Sequence, residues 1–183
     1  MWLYIILGAA AVIIFWFIAT YNRLIGAKNA TDNSWADIDV QLKRRYDLIP
    51  NLVETVKGYA AHEKGLFENV AKARSVAMGA KTPAEHAAAE NMLSSTLKSL
   101  FAVAENYPDL KASQNFMQLQ GDLRDAEDKI QAARRFYNAN VRDWNILIQS
   151  VPTNIVAGAL KFGAREFFEV ADEAQREAPK VSF

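Results

Sequence analysis

The chain has 183 residues, with 21 basic and 21 acidic side chains, so its formal net charge is zero. This length has room for one membrane segment and one ordinary domain, and no global field draws the chain to nucleic acid. Cysteine is absent, which excludes disulfides, thiolate metal ligands and thiol nucleophiles.

An uncharged run of 20 residues extends from Trp2 to Tyr21. About 20 residues at 1.5 Å rise each cross the hydrocarbon core of a bilayer, so the run predicts a transmembrane helix. A buried core helix and a cleaved signal peptide are the alternatives, although the run lacks the basic start and small-residue cleavage site of a signal peptide. Aromatic rings mark membrane surfaces, and the candidates here are Trp2, Tyr4, Trp16 and Tyr21.

Orientation is predicted from the nearest cations. Arg23 and Lys28 follow the apolar run, and no side-chain cation precedes it. Because cytoplasmic flanks carry an excess of Lys and Arg, we expect a single-pass protein with its N-terminus outside and its C-terminal domain in the cytoplasm.

Beyond this run, apolar residues recur at helical spacing from Ile38 to Ala77, which predicts one long helix. Pro50 is the weak point, since proline has no N–H to donate and crowds the preceding turn. We expect the helix either to bend there or to restart with Asp47 near its N-cap.

Thr82 and Glu85 have the spacing of a capping box, with Pro83 at the first helical position. A second helix is predicted from this point, ending before Pro108. Its expected buried residues are Leu93, Leu97, Leu100 and Val103.

The third helix, predicted for residues 113–150, has the most regular apolar spacing in the chain, and a short fourth helix is expected after Pro152. No alternating strand pattern appears. The predicted fold is all-α: an N-terminal transmembrane helix followed by a long antiparallel three- to four-helix bundle that resembles a coiled coil. The expected divisions are an anchor (1–25), a helical bundle (26–162) and a polar C-terminal tail (163–183).

Three uncommon strings, RYDLIPNLV, RRFYN and VPTNIVAGALKF, occur in this order along the chain. With the residues around them they resemble the LemA family over nearly the whole region after the apolar run. The resemblance implies a bacterial inner-membrane protein with an N-terminal anchor and a helical bundle. It supplies no catalytic residues.

Metal and cofactor chemistry is not expected. His62-Glu63 begins like a zinc-protease motif, but position 66, where the second histidine would stand, is Leu66. His86 is the only other histidine. A repeat of acidic residues on the third helix is interpreted as a solvated face, because one helix cannot wrap a calcium ion: Asp122, Asp125 and Asp128.

A structural polar layer is a second hypothesis. Glu127 and Arg134 flank the apolar seam of the third helix, so both side chains could turn toward the interface between helices. Charges buried in such an interface persist only when they are paired. Candidate partners are Arg45 and Glu63 on the first helix, alongside Asn138 and Asn145 on the third. The alternative is a surface salt bridge. For the basic cluster Lys43-Arg44-Arg45 we favour an intramolecular or subunit-interface role over lipid or nucleic-acid binding.

The leading functional prediction is a membrane-tethered scaffold or protein-interaction module, not an enzyme. The alternatives are a regulator or enzyme acting on membrane or envelope components, and a small-ligand sensor with a pocket in the bundle. Self-association is expected because several large apolar residues fall outside the seams: Trp35, Phe67, Met117, Phe162, Phe167, Phe168 and Phe183. The expected partners are the bilayer, further copies of the chain and possible other membrane proteins, with no nucleic acid.

Overall fold

The computed structural model describes residues 1–169. Over this range the chain is all-α, as predicted, and forms no strand. The helices are α1 (Trp2–Lys57), α2 (Lys64–Gly79), α3 (Pro83–Ala104), α4 (Pro108–Lys111), α5 (Gln114–Gln149) and α6 (Thr153–Ala159). The chain packs as two compact units, a first unit of Met1–Val40 with Gln131–Phe167, and a second unit of Gln41–Ile130 continued from Phe168.

In the first unit, α1 and α5 run antiparallel. The Trp35 and Tyr137 rings meet edge to face with centroids 5.2 Å apart, and Asn140 Nδ2 lies 3.5 Å from the carbonyl oxygen of Ala30. Later residues of α1 therefore lie beside earlier residues of α5. Helix α6 closes an apolar cluster that contains Leu24, Trp144, Leu147, Val156 and Ala157, with Trp16, Ala27, Ile148 and Phe162 packed against it.

In the second unit, the later part of α1 contacts α2, α3 and the earlier part of α5, and α4 packs against α3. The buried apolar side chains follow the predicted spacings and include Leu42, Ile49, Leu52, Val56, Val70, Leu93, Leu97, Leu100, Leu123 and Ile130. The rings of Phe101 and Phe116 add an edge-to-face contact between α3 and α5. Val103, expected to be buried, is only half-buried.

The prediction of one helix from Ile38 to Ala77 is wrong. Helix α1 ends at Lys57, and α2 begins at Lys64. A continuous helix would hold residues 46 and 77 about 46 Å apart at 1.5 Å rise per residue, yet the Tyr46 hydroxyl lies 3.4 Å from the Ala77 carbonyl oxygen. The chain turns back at Gly58, a poor helix former, and the return buries apolar side chains that a straight helix would leave in water.

The alternative of a restart at Asp47 is also wrong, because α1 continues through Pro50 to Lys57. The second predicted helix ends before Pro108, as expected. Helix α3 stops at Ala104, and the separate turn α4 starts at Pro108, because Pro108 favours an extended Tyr107 before it. The bounds of α5 and α6 confirm the third and fourth predicted helices.

The capping box is confirmed. Thr82 Oγ1 accepts a hydrogen bond from the Glu85 backbone N–H at 3.2 Å, and Glu85 Oε2 accepts from the Thr82 and Lys81 backbone N–H groups. These two backbone donors hold the pKa of the Glu85 carboxyl below its ordinary value.

Several apolar residues expected to remain outside the seams pack within the chain. Phe67 and Phe168 are buried, while Trp35 and Phe162 are half-buried. Met117 and Phe167 are exposed, and Phe183 lies outside the described residues. Four of the seven side chains that motivated self-association are therefore at least partly covered within their own chain, for example Trp35 by the ring of Tyr137 and Phe162 by the ring of Trp144.

Candidate functional site

Arg45 is the centre of a buried charged cluster in the second unit. Its side chain is 5% exposed, and its Nη1 lies 2.6 Å from Glu90 Oε2 and 3.0 Å from Glu127 Oε2. Its Nη2 donates a hydrogen bond to Ser94 Oγ at 2.8 Å. The cluster thus joins α1, α3 and α5, and it occurs because Arg45 and Glu90 lie in phase with the apolar residues of their helices.

The second oxygen of Glu90 is occupied as well. The Tyr46 hydroxyl donates to Glu90 Oε1 at 2.5 Å. Tyr46 also meets α2, because Arg74 Nε donates to the Tyr46 backbone carbonyl at 2.7 Å. The Arg45 cluster, defined here as Arg45, Tyr46, Glu90, Ser94 and Glu127, therefore has its buried carboxylate and guanidinium bonded to each other and to hydroxyl groups.

This arrangement is suited to fixing helix register rather than to moving protons. A buried ion pair whose remaining lone pairs and protons are hydrogen-bonded resists sliding, because a shift of one turn would leave a charge without its partner. Breaking such a pair is strongly destabilising. Glu127, with 37% of its side chain exposed, reaches the solvent side of the cluster, and Ser94 is half-buried.

A second layer of charge lies at the edge of the cluster. Arg44 Nη1 and Lys129 Nζ each approach Asp125 Oδ2 at 3.0 Å. The hydrogen bond from Lys129, followed by the charges of Lys129 and Arg44, lowers the pKa of Asp125. The intramolecular role expected for the basic cluster is confirmed for Arg44 and Arg45.

The six residues proposed for the polar layer fall in both units. Arg45 and Glu127 come together as described, whereas Glu63 contributes its backbone carbonyl to the start of α2. The other three lie on the α5 part of the first unit and are half-buried: Arg134, Asn138 and Asn145. That the whole set acts as one layer stays a prediction.

In the first unit, side chains of α5 bind the segment that follows α6. Asn145 Nδ2 donates to the Arg165 carbonyl oxygen at 3.0 Å, and Asn145 Oδ1 accepts from the Arg165 N–H at 2.9 Å. Tyr137 Oη and Trp144 Nε1 donate to the carbonyl oxygens of Glu166 and Gly163, both at 3.0 Å. Residues 163–167, expected to begin a polar tail, are thus bound along α5 by its side chains.

Arg165 also reaches α1, where its Nη2 lies 2.6 Å from Asp32 Oδ1. Lys28 Nζ lies 3.0 Å from the other oxygen of Asp32. Burial alone would raise the pKa of Asp32, but the hydrogen bond from Lys28 and the adjacent Arg165 guanidinium together lower it. Burial raises the pKa of the Tyr137 hydroxyl.

Helix α1 supplies the candidate membrane segment. Among residues 1–169 it is the one helix long and apolar enough to cross a membrane, and its apolar window is almost entirely exposed. Exposure argues against a core helix of a soluble domain. Trp2, Tyr4, Tyr21 and Arg23 are exposed, whereas Trp16 is half-buried, because it packs on the cluster closed by α6.

The family model described as the LemA family matches residues 34–183. The chain belongs to the LemA family. Two magnetosome proteins, MamQ 1 and MamQ 2 of Paramagnetospirillum magneticum, are each 26% identical to this LemA family chain, over 84% of the chain and 67% of their own length. Protein LemA of Metamycoplasma hominis is 26% identical, over 86% of the chain and 73% of its own length.

The LemA region contains both the Arg45 cluster and the segment bound along α5, and it begins after the apolar run. Family membership and the exposed apolar helix make this a membrane-associated helical protein. The names of these three relatives are not enzyme names. Within residues 1–169, no group of three or more His, Asp or Glu side chains is arranged to hold a metal ion.

Sequence reasoning missed Glu90, Ser94 and Tyr46. The signal for Glu90 was present, since it lies three residues from both Ala87 and Leu93, on the buried stripe of its helix. An acidic residue in phase on one helix and a basic residue in phase on another together predict a buried pair.

Proposed function

We propose that this LemA family chain is a membrane-anchored helical scaffold: α1 crosses a bacterial inner membrane once, and the helical domain lies on the cytoplasmic side, where it binds protein partners. The observation that carries the proposal is the continuity of α1. One unbroken helix contains both the exposed apolar run and Arg45, the centre of the buried cluster. A helix tied to its neighbours by buried charge is a defined attachment for a membrane anchor.

The closure of the Arg45 cluster supports a role other than catalysis. Its guanidinium, carboxylates and hydroxyl groups contact one another at 2.5 to 3.0 Å. A group that acts as a nucleophile, or that accepts or donates a proton during a reaction, needs access to a substrate. The polar atoms of this cluster are instead bonded to one another.

Exposed apolar side chains on the second unit support partner binding. Three are methionines from three different helices: Met78, Met92 and Met117. Methionine is flexible and polarisable, so it adapts to partner surfaces of different shape. In the first unit, Phe136 on α5 is 59% exposed and is the side chain we assign to contact between copies of the chain.

Topology is tested by cysteine labelling, for which the absence of native cysteine is an advantage. Ser75→Cys, at an exposed position of α2, should resist a membrane-impermeant maleimide in intact cells and react after the cells are opened. A cysteine in a short N-terminal extension is the matched control and should react in intact cells once the outer envelope is permeabilised. Labelling of Ser75→Cys without lysis would contradict a cytoplasmic domain.

The scaffold role is tested by the mass of the native complex. Full-length protein extracted from its own membrane and placed in nanodiscs should give species heavier than one chain, with co-purifying proteins identified by mass spectrometry. Phe136→Gln should shift the distribution of self-associated species to smaller masses, while Arg135→Gln, at the exposed neighbouring position, should leave it unchanged. A single-chain species without any co-purifying protein would argue against both partner binding and self-association.

A further inference from the structure

The region around α6 contains no charged side chain. From Trp144 to Leu160 the chain has 17 residues without a charge, between Asp143 and Lys161. The first turns of this stretch belong to α5, and the rest forms the α5–α6 turn and α6. Its largest apolar side chains are residue types that are most often buried in soluble proteins.

Helix α6 is apolar on two sides, and only one is covered. Val156 and Ala157 face the cluster with Leu24 and Trp144. Outside this contact, Val151 before the helix and Ile155 within it are 81% and 66% exposed. Exposed apolar side chains next to each other on a short segment mark a binding surface, which here lies within residues 151–160.

The part of α1 that lies beside this surface indicates that lipid covers it. Trp16 packs on the α6 cluster, and Thr20 and Leu24, one and two turns further on the same face of α1, are buried. The apolar run of α1 ends at Tyr21, so α6 lies beside its last turns. Five residues from Trp16 to Tyr21 correspond to about 7.5 Å, which matches the 5–10 Å depth at which interfacial helices lie in a bilayer.

Charge at the edge of the surface fits the same occupant. Arg23 follows the apolar run of α1 by one turn or less, and Lys161 directly follows the apolar stretch; both side chains are exposed. Cations at the boundary of an apolar surface pair with lipid phosphates while their aliphatic stems stay among apolar groups.

We propose that residues 151–160 form a second membrane contact, in which Val151 and Ile155 enter the interfacial layer of the bilayer beside the α1 span, and Lys161 and Arg23 bind lipid phosphates. The proposal rests on the crossing of α1 set out above. This second contact would hold the part of the first unit around α6 against the membrane surface.

The test measures lipid contact at single positions of the full-length chain in anionic phospholipid vesicles. Ile155→Cys carries an environment-sensitive fluorophore, and quenching by lipids with a shallow nitroxide group reports depth. Val40→Cys is the matched control, because Val40 is similarly exposed at 62% on α1 but lies 19 residues, about 28 Å, past Tyr21. Ile18→Cys, within the apolar run, is the positive control.

We expect quenching at Ile155→Cys to reach about half of that at Ile18→Cys or more, and to exceed that at Val40→Cys about fivefold. Quenching at Ile18→Cys with none at Ile155→Cys would overturn the second contact and leave the anchor standing. Absence of quenching at both positions would overturn the crossing of α1 as well. A blue-shifted, concentration-dependent emission at Ile155→Cys without lipid quenching would assign the surface to a second copy of the chain and overturn lipid contact.

Discussion

Arg74 donates a 2.7 Å hydrogen bond from Nε to the backbone carbonyl of Tyr46, the acceptor that Pro50 leaves without its helical donor. In an α-helix this carbonyl would accept from the N–H four residues later, and proline at that position has none. A side chain from α2 supplies the missing donor. This contact explains how α1 continues through Pro50, where either a bend or a restart was expected.

Removal of this donor should weaken the second unit. Arg74→Met leaves the Tyr46 carbonyl short of a donor and should lower the free energy of unfolding by about 1–2 kcal/mol. In a Pro50→Ala background the backbone N–H at position 50 can reach the carbonyl, so the same change should cost less. Thermal unfolding of the four proteins in detergent, followed by circular dichroism, should give a coupling energy of about 1 kcal/mol. Strictly additive effects would contradict the shared acceptor.

The Arg45 cluster should dominate the stability of the second unit. Arg45→Met leaves the buried Glu90 carboxylate without its cation and should cost about 3–5 kcal/mol. Replacing Glu90 by Met in the same protein removes the isolated charge, so the double variant should be more stable than Arg45→Met alone. Lys43→Met, at an exposed position of the same helix, should change stability by no more than about 0.5 kcal/mol in the same unfolding assay. Equal effects at positions 43 and 45 would rule out a structural role for the cluster.

The ion pair of Asp32 with Arg165 should make the first unit sensitive to acid. Because the pKa of Asp32 is lower in the folded chain than in the unfolded one, its stabilisation is complete above the ordinary aspartate pKa of about 4 and is lost as the pH falls through the lowered value. The difference in melting temperature between the wild type and Asp32→Asn should therefore be constant near neutral pH and should disappear in acid. Asp37→Asn, at an exposed site on α1, controls for the loss of one charge. A difference that grows with acidity would contradict the lowered pKa.

Lys161 adopts a left-handed backbone conformation, with φ of 56°, at the end of α6. The N–H groups of Lys161 and Phe162 bond to the carbonyls of Gly158 and Ala157, which is the Schellman arrangement that favours glycine at this position. Lys161→Gly should therefore stabilise the chain by about 0.5–1 kcal/mol. Lys161→Ala also removes the charge but keeps the strain, so its melting temperature should stay close to that of the wild type. A glycine variant no more stable than the alanine variant would contradict this account.

Local signals in the sequence predicted the elements they act on. The capping box of Thr82 and Glu85 started α3 where expected, since its hydrogen bonds involve only residues three or four apart. The regular apolar spacing of α5 likewise predicted its bounds to within one residue. The break after Lys57 was missed, because the helical spacing of apolar residues continues through it. No local sequence signal predicted that the chain reverses direction there.

The sequence by itself determined the all-α class, the apolar run at the start of α1 and the membership of the LemA family. Each follows from composition, periodicity or strings of neighbouring residues. Tertiary structure alone decided that Glu90 is the partner of Arg45 and that Arg74 bonds to Tyr46. These contacts join residues 45 and 28 positions apart. Spacing along one helix shows which face a side chain occupies, whereas the partner across the interface is determined by how the helices pack.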